Sequence, residues 1–201
     1  MLISPTGTII CAPGQLIRRL FGRGIALWKL YPYVGPAHLA KQASSDAPRF
    51  HVDDAASLAA WVTKQPGTES DGTLTVTFVV LPDGLWIADR HSEHVACARG
   101  GPVHSAGEMT FALDRRRRSV EVAYVTNQST GFCPEPESWP SVEAALDAAG
   151  IAHPGGFSAE MIFRRCPKCG ATNIVKDGWF ECTVCGAELP SDWNYGGPAA
   201  E

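Results

Sequence analysis

Through the middle of the chain the spacing of apolar residues changes period several times, and each change marks an element. Leu58, Trp61 and Val62 fall at i, i+3 and i+4 behind Asp53-Asp54, with Pro66-Gly67 after them. That pattern predicts a helix whose acids face its positive end and whose stop is a proline–glycine pair. Residues 73–81 are β-branched and aromatic, and predict a strand. Pro82-Asp83-Gly84 turns the chain, and 85–88 returns as a hairpin partner. Residues 108–113 and 119–126 predict a second hairpin around Asp114 and Arg115 to Arg118. Residues 141–149 read as an alanine-rich helix with Ser141 as N-cap and Gly150 just past its end. Residues 158–164 read as a last strand. Near the N-terminus, Leu16, Ile17, Leu20, Phe21 and Leu27 recur at roughly helical spacing over 15–30, with Arg18, Arg19 and Arg23 on other faces. Residues 31–36 then read as a turn or extended linker and 43–49 as a polar loop. Strands grouped centrally with helices on either side predict an α+β fold, a mainly antiparallel sheet with flanking helices, and not a βαβ array.

The last fifth of the chain follows a different rule. Cys166-Pro-Lys-Cys169 and Cys182-Thr-Val-Cys185 are paired thiols, each pair followed by a glycine, Gly170 and Gly186. The stretch between them reads as a β-hairpin. Two residues between cysteines let both sulfurs face one ion, and the glycine lets the backbone turn back toward them. Four thiolates so spaced predict a closed tetrahedral Zn²⁺ site, which leaves no coordination position open for substrate. About thirty residues bury too little core to fold alone, so zinc takes the place of that core. Residues 161–193 thus resemble a Cys₄ zinc ribbon. The expected layout is an α+β domain over 1–160, the ribbon over 161–193 and a frayed tail over 194–201.

Composition narrows the function classes. The 201 residues suffice for one good-sized domain plus a small module. A net charge of −4 argues against the whole chain being a polyanion binder. No apolar run approaches the roughly 20 residues that span a bilayer, so no membrane partner is expected. Leu2, Ile3, Ile9 and Ile10 are interrupted by Pro5, Gly7 and Pro13, which speaks against a signal peptide. Four of the seven cysteines are assigned to metal; Cys11, Cys97 and Cys133 remain, an odd number without framework spacing. That usage points to a reducing compartment, most simply the cytoplasm.

Candidate chemistry concentrates between residues 89 and 136. His91, Ser92, Glu108, Asn127, Ser129 and Cys133 lie at expected strand ends, where a small α+β domain places a site. Two accounts compete. In one, these residues line a polar pocket: Cys133 with His91 as a nucleophile pair oriented by Asn127 or Glu108, or Glu108 as a base with His91, Ser92 and Asn127 binding a polar substrate. In the other, His91 caps a strand, Glu108 faces solvent and Cys133 is a small buried hydrophobe. A zinc deaminase centre is disfavoured. His91-Ser92-Glu93 supplies His-x-Glu, but Cys133-Pro-Glu-Pro lacks the second cysteine.

The order His91-Ser92, Gly100-Gly101-Pro102-Val103, Ala106-Gly107-Glu108, a hairpin, then Asn127-Gln-Ser129-Thr130-Gly131 and proline carries a resemblance. Residues 89–150 resemble a poorly characterised domain of bacterial polymorphic-toxin C-termini and plant IQ-motif calmodulin-binding proteins. Those chains typically read His-Ser-Ser, Ala-Ala-Gly-Glu, then Ser-Gly-His-Tyr-x-Pro. Here Phe132-Cys133 stands in place of His-Tyr. The resemblance implies a shared fold and a shared polar pocket, with no settled activity.

The function expected first is an enzyme-like polar site acting on a polar or macromolecular substrate, toxin- or conflict-related. The alternative is a non-catalytic module that recognises nucleic acid or protein through the ribbon and the basic hairpin. Arg115, Arg116, Arg117 and Arg118 form that hairpin's tip, Arg164, Arg165, Lys168 and Lys176 flank the ribbon, and Trp179 can stack on bases.

Overall fold

The computed structural model describes residues 28–43, 47–66, 68, 72–114, 116 and 119–196. The helix expected over 15–30 therefore lies mostly outside the described residues. Its last three positions, Trp28 to Leu30, are exposed and not helical.

A five-stranded antiparallel sheet is the frame, in the order β1-β3-β2-β4-β5. The strands are β1 (Phe50–His51), β2 (Thr73–Leu81), β3 (Gly84–Asp89), β4 (Ser105–Asp114) and β5 (Ser119–Val125). The β2–β3 hairpin turns at Pro82-Asp83, with Leu81 opposite Gly84. β4 pairs with β2 on one side and β5 on the other, with a register shift at Thr110/Phe111. Both expected hairpins and the α+β class are present; β4 starts three residues earlier than the pattern indicated.

Side chains alternate across the pleat, and both faces are covered. One face, from Val76, Phe78 and Val80 to Met109 and Phe111, packs under two helices. The first is α2 (Ala55–Thr63), which buries Leu58, Ala59 and Val62. Asp54 caps it: its carboxylate accepts from the Ser57 amide at 2.7 Å, while the Ser57 hydroxyl accepts from the Asp54 amide. The second is α4 (Trp139–Ala148), which buries Val142 and Leu146. Ser141 is not its N-cap. It lies buried in the first turn, its hydroxyl donating to the Ser138 carbonyl at 2.7 Å. Pro140 has no amide to lose there, so the helix extends back to Trp139 behind a 3₁₀ turn, Pro136–Ser138.

On the opposite face Val79, Ala88 and Ala106 meet Tyr31, Val95, Cys97, Val103 and Phe132. Two short helices unmarked by the sequence pattern lie on this side, α1 (Ala37–Gln42) and α3 (His94–Cys97). Residues 31–36 are no free linker. Tyr31 exchanges both backbone hydrogen bonds with Val103, and the Val34 amide donates to Gly131.

The ribbon hairpin is β6 (Ile162–Arg165) with β7 (Thr172–Val175). The expected last strand is thus shorter and later; the residues before it instead bridge the edge of β5, through Thr126 and Ala159. The chain does not fray at 194. The Asn194 side chain accepts from the Arg165 amide at 2.9 Å and donates to its carbonyl at 2.7 Å, standing in for a strand partner. Tyr195 is buried against Cys133 and Phe163. No described helix is long and apolar enough to cross a membrane.

Candidate metal centre

Each cysteine pair closes the same small loop. In the first, the Cys166 amide donates to Ala171 and the Gly170 amide to Cys166; in the second, Cys182 donates to Ala187 and Gly186 to Cys182. Gly170 and Gly186 both hold φ near +70°, at 74° and 68°, a conformation open to glycine and costly for other residues. The two knuckles thus share one backbone geometry.

All four sulfurs lie within 4.8 Å of one another. Cys166 to Cys185 and Cys169 to Cys182 are each 3.6 Å. A tetrahedron with metal–sulfur bonds of about 2.3 Å has edges of about 3.8 Å, so this spacing suits one ion at the centre. The four cysteines can hold a metal ion, and among the described residues they form the one such cluster. None is in a disulfide.

The electrostatics agree. Burial opposes ionisation of Cys182. Even so, the amides of Val184 and Cys185 and the thiols of Cys169 and Cys166 bring it down to about 6. At Cys169 the Ala171 amide lowers the thiol, yet burial and its three sulfur neighbours push it up to about 12. Four thiols this close cannot all ionise without a cation among them. Asn173, which the sequence reading passed over, ties the knuckles together. Its amide group donates to Ala171 at 2.9 Å and to the Cys182 sulfur at 3.5 Å, and its oxygen accepts the Thr183 amide at 3.0 Å. Such outer contacts fix ligand orientation.

The ribbon is seated on the main sheet by charge and aromatic contacts. Arg164 is buried, donates to the carbonyls of Phe163, Pro190 and Ser191, and lies 3.4 Å from Glu135. The other oxygen of Glu135 takes Lys29 at 2.8 Å, and that ammonium lies over the Trp193 ring at 4.2 Å. Trp193 in turn donates its indole N–H to the Cys133 carbonyl at 2.7 Å. Arg164 drew notice only as a basic residue flanking the ribbon, and Glu135 and Trp193 carried no periodic or motif signal for this role.

The six residues expected to line a polar pocket divide into two groups. Asn127, Ser129 and Cys133 share one loop, and that loop anchors the ribbon. The Asn127 amide group donates to Pro134 and Met161, each at 2.8 Å, and its oxygen accepts the Met161 amide at 2.7 Å. Ser129 is buried, its hydroxyl unpartnered. Cys133 is buried with φ 48°, and its thiol points to the Thr130 carbonyl. Burial pushes that thiol up to about 12, away from the thiolate a nucleophile needs.

The second group lies on the sheet. His91 is exposed in the turn after β3, where Asp89 accepts its backbone amide. The Ser92 carbonyl accepts the Thr77 hydroxyl, and Thr77 stands opposite Glu108 on β4. Glu108 is half-buried. The half-buried His94 bonds through its imidazole to the Gly107 carbonyl at 3.0 Å. One concavity lies between ribbon and main domain and another at the ribbon tip. Neither is lined by any of the six.

Of the basic residues, Arg116 is exposed, while Arg115, Arg117 and Arg118 lie outside the described residues. Trp179 is 70% exposed on the ribbon tip, its indole N–H donating to Glu181 at 3.1 Å.

No family model, curated protein or solved structure matches this chain.

Proposed function

We propose that this is a cytoplasmic, non-catalytic protein-binding module whose ribbon is folded around one Zn²⁺ and presents its outer end to a protein partner. The observation that carries the reading is the pairing of a closed four-cysteine shell with two large apolar side chains, Trp179 and Val184, each 70% exposed beyond it. A monomer gains nothing by leaving a tryptophan in water, and aromatic residues on a rigid support are the usual anchors of protein interfaces. Zinc is favoured over other metals by the all-thiolate tetrahedral donor set. The cytoplasm suits a chain in which, among the described residues, Cys97 and Cys133 are also buried and free.

Charge supports protein over nucleic acid. Between Cys166 and Leu189 the ribbon has two lysines, Lys168 and Lys176, against Asp177, Glu181 and Glu188. Glu181 and Glu188 pair across strands beside Trp179. The arginine that would have extended a basic face, Arg164, is buried in ion pairing. The enzyme-like reading loses support from the same residues that suggested it: Cys133 is held as a thiol and Asn127 is spent on backbone. Kinship of residues 89–150 with the toxin-associated domain, on this proposal, is a matter of fold and assigns no reaction.

The test is a photo-crosslinking amino acid at position 184 of the full chain in its native cell type, with Trp179→Ala as the control. Discrete protein adducts that vanish in the control are expected. Crosslinks to nucleic acid, or protein adducts indifferent to Trp179→Ala, would overturn the reading.

A further inference from the structure

Adjacent arginines on β6 have opposite fates. Arg164 is buried and paired with Glu135. Arg165 pairs across the hairpin with Thr172, on the other face of β6, and is half-buried. Its guanidinium lies 5.0 Å from the Tyr195 ring centroid and reaches the Val34 carbonyl through one nitrogen at 3.4 Å. Among the described residues no carboxylate meets it. An arginine held in place by an aromatic ring, with donors to spare and no carboxylate partner among the described residues, is pre-organised to take an oxyanion.

The space it faces is a cleft of about 790 Å³ between ribbon and main domain. Val34, Pro36 and Ile174 supply apolar walls, and Thr130 and Thr172 supply hydroxyls. That size and mixture suit a small ligand or one short peptide segment. Cys166 and Pro167 of the first knuckle form part of its rim, so the metal centre fixes one wall. The cleft lies on the β6–β7 face, whereas Trp179 belongs to the separate concavity at the ribbon tip.

We propose that this cleft binds a carboxylate ligand, with the Arg165 guanidinium gripping the carboxylate and Thr130 and Thr172 donating to it. The planar fork of arginine matches a carboxylate with two parallel hydrogen bonds, and the apolar walls take the carbon chain behind it. The site is independent of the partner proposed for the ribbon tip.

The experiment is calorimetric titration of the zinc-loaded full chain with three probes: glutarate, an acetylated tripeptide ending in glutamate, and inorganic phosphate. Saturable binding of glutarate or the tripeptide is expected, and whichever binds more tightly identifies the source as a free acid or a peptide end. Arg165→Met should weaken it by about tenfold or more. Thr130→Val, at an exposed position away from the Tyr195 ring that supports the guanidinium, should weaken it severalfold and guards against a folding defect in the first variant. Both variants are checked by their melting temperatures. No saturation with either carboxylate at millimolar concentration, unchanged binding in Arg165→Met at wild-type melting temperature, or tighter binding of phosphate would each overturn the assignment.

Discussion

Among the candidate site residues, Asn127 has a structural part to play, and its burial says so. Asn127 holds the 134 and 161 backbone segments with three hydrogen bonds at full burial. Asn127→Leu would strand those groups, and we expect it to cost about 3 kcal/mol of stability in denaturant titration. A residue that served substrate alone would cost nothing. His94 makes a pH prediction. Burial lowers its pKa below the ordinary 6.5, outweighing the Gly107 carbonyl that acts to raise it. The unfolded chain then binds a proton near pH 6.5 that the folded chain refuses. Stability from this group is complete above that pH and declines as pH falls through 6.5 toward the lowered folded value. Melting curves of wild type and His94→Gln should therefore converge as the pH drops below about 6.5. A constant gap between them would refute this role. Residue types alone could not separate these cases, because a buried asparagine bracket and a substrate-binding asparagine look alike in sequence. Only the backbone groups around them decide.

At the scale of elements, the strands and the two longer helices were legible because each has a periodic apolar face and a cap or turn of recognisable chemistry, as at Asp54 and Pro82-Asp83-Gly84. The misses were short or borrowed. α1 and α3, at six and four residues, are too brief to show a period. The register of β4 depends on Gly107, where an added Cβ would stand 1.9 Å from the Thr126 carbonyl oxygen. Backbone cannot give way cheaply there, so Gly107→Ala should lower stability by about 2–4 kcal/mol, measured by thermal unfolding; a change under about 0.5 kcal/mol would mean the strands part without cost. Asn194 and Tyr195 hold where fraying was expected because their partners, Arg165, Cys133 and Phe163, are distant in sequence.

For the whole molecule, the ribbon is a joined part and not an appendage: Arg164, Glu135, Lys29 and Trp193 link it to the sheet and to the chain's earliest described residues. Chelation or Cys182→Ser should accordingly unfold residues 161–193 first, seen as loss of amide-exchange protection there, and should lower the melting temperature of the remainder. Trp179→Ala, by contrast, should leave stability within about 0.5 kcal/mol, since that side chain touches little of its own fold. The sequence disclosed the four-cysteine cluster in full, because its spacing is local. It disclosed no pocket, because His91, Glu108 and Cys133 are brought near or kept apart by long-range pairing alone. The closed shell is what folds and seats the ribbon, and X-ray absorption at the zinc edge of the purified full chain tests it directly. One zinc per chain with four sulfurs at about 2.3 Å and no lighter ligand is the predicted result. A zinc content near zero, or a shell that includes oxygen or nitrogen, would contradict it.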